Sequence, residues 1–168
     1  MGFTVSLTCA PTHHHPAATS ASLVHDASYE SLVIEACSVI ADGDCRFHIG
    51  GFGKSDWGLD IEYDMSAFME QLPDLIAGLR ARRSVEVDLY SQGIERTLEF
   101  DATGDEDVRI FCRSRTAWVP DPSVEIIGSD ELQQMLVETA ASFGNALAAT
   151  GSVLAHLHPF AAWRKHRL

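Results

Sequence analysis

Between Val85 and Arg115 apolar and charged residues alternate in three short runs, and the links between the runs are too brief to hold a helix. Val85, Val87 and Leu89 alternate with Glu86 and Asp88; Ile94, Leu98 and Phe100 with Glu95, Thr97, Glu99 and Asp101; Val108, Ile110 and Cys112 with Arg109, Phe111, Arg113 and Arg115. A period of two places one set on a buried face and the other in water. Ser91-Gln92-Gly93 and Thr103-Gly104-Asp105 turn the chain between runs. Parallel neighbours need a crossover of a dozen residues or more, so these strands are antiparallel. That excludes a doubly wound parallel sheet.

Leu32 to Ile40 is a β-rich apolar run, Asp42-Gly43 is a tight-turn dipeptide, and Cys45 to Phe52 reads as the returning strand. Trp57, Leu59, Ile61 and Tyr63 alternate with Gly58, Asp60, Glu62 and Asp64, which predicts another strand. Ser66 is a suitable cap for a helix with the stripe Phe68, Leu72, Leu75, Ile76 and Leu79, kinked or restarted at Pro73. A second helix runs from about Ser129 to Ala149, with Asp130 and Glu131 in its first turn. Pro120 and Pro122 end the strand region, and Pro159 stops the chain after a short helical piece. The expected fold is α+β: an antiparallel sheet of about six strands in the order βββα–βββα, with two main helices packed on one face.

Residues 1–28 are rich in Ala, Thr, Ser, Pro and His, lack periodicity, and read as a dispensable disordered leader. Residues 29–158 form the single expected domain, and 159–168 a mobile basic tail with Phe160 and Trp163 as exposed aromatics. Cys9, Cys37, Cys45 and Cys112 lie far apart with no C-x-x-C pair, which suits reduced thiols and a cytoplasmic protein. Cys37 and Cys112 sit in apolar runs as small core residues.

Charge narrows the class of function. The 24 acidic residues exceed the 12 Lys and Arg by enough to give −12, which argues against wrapping nucleic acid. No window approaches the roughly 18 consecutive apolar residues of a membrane span. His48-Ile49-Gly50-Gly51-Phe52-Gly53-Lys54-Ser55 resembles a phosphate-binding loop only at its end. Its first position is not glycine, and the acidic stretch that follows alternates as a strand instead of opening a helix. The histidines, His13 to His15 included, show no metal-binding spacing, and no Ser or Cys carries a nucleophile signature. No cofactor and no metal are expected.

What remains is surface chemistry. Asp60, Glu62, Asp64, Glu86, Asp88, Glu95 and Glu99 point outward in this reading, and Asp101 joins them. Arg109, Arg113 and Arg115 are too few to neutralise them, so a negative patch persists as a docking surface for a basic partner. Arg96 shares parity with Ile94 and Leu98, so it either lies beyond the helix edge or pairs with a buried carboxylate such as Glu35 or Glu138. Trp118 is expected to pack in the core.

The span from Cys45 to Phe160 resembles small bacterial α+β proteins that include the acidic immunity proteins of polymorphic toxins. The resemblance is carried by Asp56-Trp57 through Asp64, by Gly93-Ile94-Glu95-Arg96, by Cys112-Arg113-Ser114-Arg115-Thr116, and by the acidic surface. It implies a cytoplasmic partner-binding role without catalysis. The leading expectation is a non-enzymatic protein-binding domain, of the toxin-neutralising kind. The alternative is a small enzyme or ligand-binding protein with a pocket between sheet and helices near the Gly-rich bend.

Overall fold

The structure is a computed structural model that describes residues 2–10, 28–104 and 106–168. Its class is α+β, but the strands form two antiparallel sheets instead of one. A two-stranded ribbon pairs β1 (Thr4–Cys9) with β2 (Cys45–Gly50), from Thr4 opposite Gly50 to Cys9 opposite Cys45. The second sheet is a meander of β3 (Ser84–Leu89), β4 (Arg96–Asp101), β5 (Asp107–Ser114) and β6 (Val124–Gly128). The helices are α1 (Tyr29–Ala41), α2 (Ser66–Arg80), α3 (Ser129–Ala149) and the short α4 (Phe160–Trp163).

The meander follows the alternation read above. Val87, Leu89, Leu98, Phe100, Val108, Ile110 and Cys112 are buried on one face, and direct partners across the ladders share a face. β6, which was not expected, follows the proline segment and pairs with β5. α2 and α3 carry the anticipated stripes, with Phe68, Leu72, Leu75, Leu132, Leu136, Phe143 and Leu147 fully buried. α2 lies so close to β3 that a Cβ on Gly78 would overlap the Val85 side chain at 1.9 Å. The Gln71 amide completes the free edge of β3, donating to Asp88 O at 2.9 Å and accepting from Asp88 N at 2.8 Å.

Leu32 to Ile40 is a helix, not a strand, and the hairpin through Asp42-Gly43 does not exist. The buried residues Val33, Ala36, Cys37 and Ile40 fall at i, i+3, i+4 and i+7, a helical face that outweighs β propensity. Ser28 caps this helix by accepting from Ser31 N, and Gly43 closes its end by donating to Ile40 O.

The strand that β2 pairs with comes instead from the segment read as a disordered leader. Phe3, Val5 and Leu7 are all under 5% exposed, and the Phe3 ring stands edge-on to Phe100 at 5.7 Å, joining ribbon to meander. α3 packs on β1, with Thr139 Oγ1 donating to Val5 O at 3.3 Å. Residues 2–10 are therefore part of the folded structure and not a disordered leader; the rest of that segment, 11–27, with His13 to His15, lies outside the described residues.

Two of the four cysteines are paired, contrary to the expectation of free thiols. Cys9 and Cys45 face each other at the ribbon end with Cα atoms 4.0 Å apart and form a disulfide. It closes a loop of sequence separation 36, which in a chain-entropy account contributes about 4 kcal/mol. A Cys9–Cys45 disulfide removes the basis in reduced thiols for expecting a cytoplasmic protein. Cys37 and Cys112 are free and buried as anticipated. The expected basic tail is also folded: Phe160 and Trp163 are buried against Phe143, with ring centroids 5.4–5.7 Å apart.

Candidate partner-binding cleft

The stretch from Asp56 to Asp64 makes no sheet. Asp56 Oδ1 accepts from Gly58 N at 3.0 Å, Gly58 takes a positive φ of 72°, and a π-helical turn follows over Ile61–Met65. Two aspartates fasten that turn reciprocally. Asp60 Oδ1 accepts from Tyr63 N at 2.7 Å and Asp64 N at 3.4 Å, while Asp64 Oδ2 accepts from Asp60 N at 2.9 Å. The apolar–acidic alternation is broken by this geometry. Trp57 and Ile61 are buried, but Tyr63 turns outward and Asp64 turns inward.

This turn forms one wall of a cleft of about 540 Å³, bordered by Asp60, Glu62, Asp64 and Glu70. Ile34 from α1 and Tyr90 after β3 complete it, Tyr90 donating its hydroxyl to Glu70 Oε2 at 3.0 Å. Tyr63 is 64% exposed, Tyr90 55% and Ile34 51%. Six large apolar side chains are exposed among the described residues, so half of them border one acidic cleft. Asp64 is only 5% exposed, and burial raises its carboxyl above the usual range, with the Asp60 charge adding to the effect. The backbone N–H of Asp60, Ser91 and the charge of Arg96 pull the other way. The Tyr90 hydroxyl is also raised, by burial first and then by Glu70.

The seven predicted docking residues separate into groups. Asp60, Glu62 and Asp64 line the cleft. Glu86 and Glu99 face each other across the outer surface of the meander, and Arg113 bridges them at 3.4 and 2.9 Å. Asp88 is held by Arg115 at 2.6 Å. Glu95 is half-buried in the β3–β4 link, where its carbonyl accepts from Arg115 N. Asp88 also reaches the cleft through its charge, which acts on Tyr90. Tyr63, Tyr90, Ile34 and Glu70 were missed; the signal available was the Asp60–Asp64 spacing, which suits a capped turn better than a strand.

Behind the cleft, Arg96 takes neither of its expected positions. It is 3% exposed, and its guanidinium lies between the rings of Trp57 and Trp118, 4.3 and 4.0 Å from their centroids. Among the described residues its Nε and Nη1 find no acceptor. Trp118 is half-buried in this stack. The glycine bend closes on itself, Gly51 N donating to Lys54 O and Lys54 N to Gly51 O, while Phe52 N donates to the buried Glu125 Oε1 at 2.6 Å. Burial pushes the nearby Cys112 thiol up to about 11, Arg96 opposing and Glu125 reinforcing.

Among the described residues no group of three or more His, Cys, Asp or Glu is arranged to hold a metal ion, and no helix is long and apolar enough to cross a membrane. Comparison with protein-family models, with curated proteins and with solved structures finds no match.

Proposed function

We propose that this chain is a non-enzymatic binding domain whose acidic, tyrosine-edged cleft docks a basic protein partner, as an immunity-type protein would cover a basic effector surface. The observation that carries this reading is the coincidence of exposed Tyr63, Tyr90 and Ile34 with Asp60, Glu62, Asp64 and Glu70 at one concavity. Aromatic side chains at a protein surface supply contact area at low entropic cost. Carboxylates around them steer a basic partner and hold its Lys or Arg side chains, whose cations also favour a tyrosine ring face. The net charge of −12 adds a long-range attraction that salt weakens.

The experiment exposes immobilised wild-type chain and a Glu62→Lys/Tyr63→Ala variant to the same native lysate. A basic protein retained by the wild type and lost from the variant supports the reading. Equal retention by both, or retention only of acidic proteins, overturns it.

A further inference from the structure

A second concavity, of about 440 Å³, lies between α2 and the segment around α4. Its volume falls in the range of about 300–1,000 Å³ typical of small-molecule sites. Pro73, Ile76 and Ala77 from α2 and Pro159, Ala162 and Trp163 from the other side make its apolar walls. Pro73, Ile76, Ala77 and Arg80 recur at i, i+3, i+4 and i+7, so a single face of α2 supplies one wall and its charged end. The seven helical steps from Pro73 to Arg80 span about 10 Å.

The polar groups are distributed unevenly along it. Arg80, Arg167 and His158 line the groove, and no Asp or Glu is among the described residues that do, in a chain whose charge is −12. Arg80 Nη1 already donates to an oxygen of Leu168 at 2.9 Å, so that donor is taken, and a ligand head would use the other N–H groups of Arg80 and those of Arg167. Near Tyr29, at the other end, burial first, then Cys37 and the charges of Glu70, Glu30 and Asp74 push the phenol above its ordinary range. The basic side chains Arg80 and Arg167 thus line a groove whose walls are otherwise mostly apolar.

From this arrangement we propose that the groove between α2 and α4 binds a small carboxylate with an apolar body, its head at Arg80 and Arg167 and its chain over Ala77, Ala162 and Trp163. Guanidinium forks match the planar carboxylate, and the imidazole N–H of His158 is a further donor. A cationic head would meet two arginines, and a neutral head would gain no charge-assisted hydrogen bond. The site is separate from the acidic cleft, and the proposal stands or falls independently of partner docking.

The test titrates the full chain with octanoate, octanol and octylamine by calorimetry. Octanoate is expected to bind saturably and at least about tenfold more tightly than the other two, the effect of one charge-assisted hydrogen bond. Arg80→Gln/Arg167→Gln should abolish that preference, and the exposed Arg167→Gln alone should reduce it without altering the melting curve. Ala77→Trp, which fills the groove from an exposed position, should block all three probes; Ala162→Phe serves the same purpose from the opposite wall should the first variant not fold. Equal affinity for the three head groups, octanoate binding unchanged by a folded groove-filling variant, or no saturable octanoate binding would overturn the proposal.

Discussion

The cleft beside the π-helical turn and the outer face of the meander draw on the same pool of acidic residues, yet they hold their charge differently. On the meander, Glu86 and Glu99 share Arg113 and Asp88 holds Arg115, so most of the field is cancelled locally. In the cleft, Asp60 and Asp64 bond to backbone N–H groups and Glu70 to Tyr90, and among the described residues no Lys or Arg forms an ion pair with a cleft carboxylate; Arg96 acts on Asp64 only from behind, through its charge. Counting charges along a chain therefore overstates one surface and understates the other. What counts is which residues the fold sets opposite an arginine.

The sharpest way to break this comparison is to remove the cleft's aromatics. Tyr63→Ala is expected to weaken the complex with a captured partner by about tenfold or more, a loss typical of an interfacial aromatic anchor, whereas Ile126→Ala on the outer face of β6 should change it less than about twofold. Parallel titration of the two variants measures the contrast.

A smaller effect, on stability, is expected from Asp60→Ala. It removes the acceptor for Tyr63 N and Asp64 N and should cost about 1 kcal/mol in denaturant unfolding. A loss indistinguishable from zero would mean that Asp60 does not organise the turn.

Asp64 sharpens the comparison through pH. Its carboxyl is raised above the ordinary value of 3.8 in the folded state, so its favourable contribution is full below that value and lost as pH rises through the raised one. Asp64→Asn keeps an oxygen for Asp60 N and removes the titration. The variant should gain stability relative to the wild type across that rise, as melting curves from pH 3 to pH 7 would record. A difference independent of pH contradicts the assignment.

The smallest effect belongs to the meander. Arg113→Ala leaves Glu86 and Glu99 facing each other, yet all three are well solvated, so thermal unfolding should register no more than about 1 kcal/mol.

The same contrast between local and distant pairing governs what was legible in the chain. β3, β4 and β5 are joined by short turns, so alternation and turn residues specify them together. The ribbon joins residues some forty positions apart, and nothing local in Thr4 to Cys9 announces its partner. With no local cue for β1, the apolar run Leu32 to Ile40 is the nearest candidate partner for β2, although Val33, Ala36, Cys37 and Ile40 have helical spacing. The Cys9–Cys45 bond was hidden for the same reason. At the cleft, the acidic residues of the turn were legible, but their neighbours were not. Tyr90 and Ile34 reach it only because α1 and the β3–β4 link are brought together by the tertiary fold. Strand parity points Arg96 inward, but neither expected placement holds, because its stacking partners, Trp57 and Trp118, come from segments on either side of it, 39 residues upstream and 22 downstream.

The most direct measurement of the docking account is stopped-flow association of a captured partner with two charge-reversed proteins at two ionic strengths. One carries Glu62→Lys and Glu70→Lys in the cleft, the other Glu86→Lys and Glu99→Lys on the meander. The account predicts that the cleft variant associates about tenfold more slowly at low salt with a flattened salt dependence, while the meander variant stays within about threefold of the wild type. A larger loss in the meander variant, or unchanged rates in the cleft variant, would contradict it.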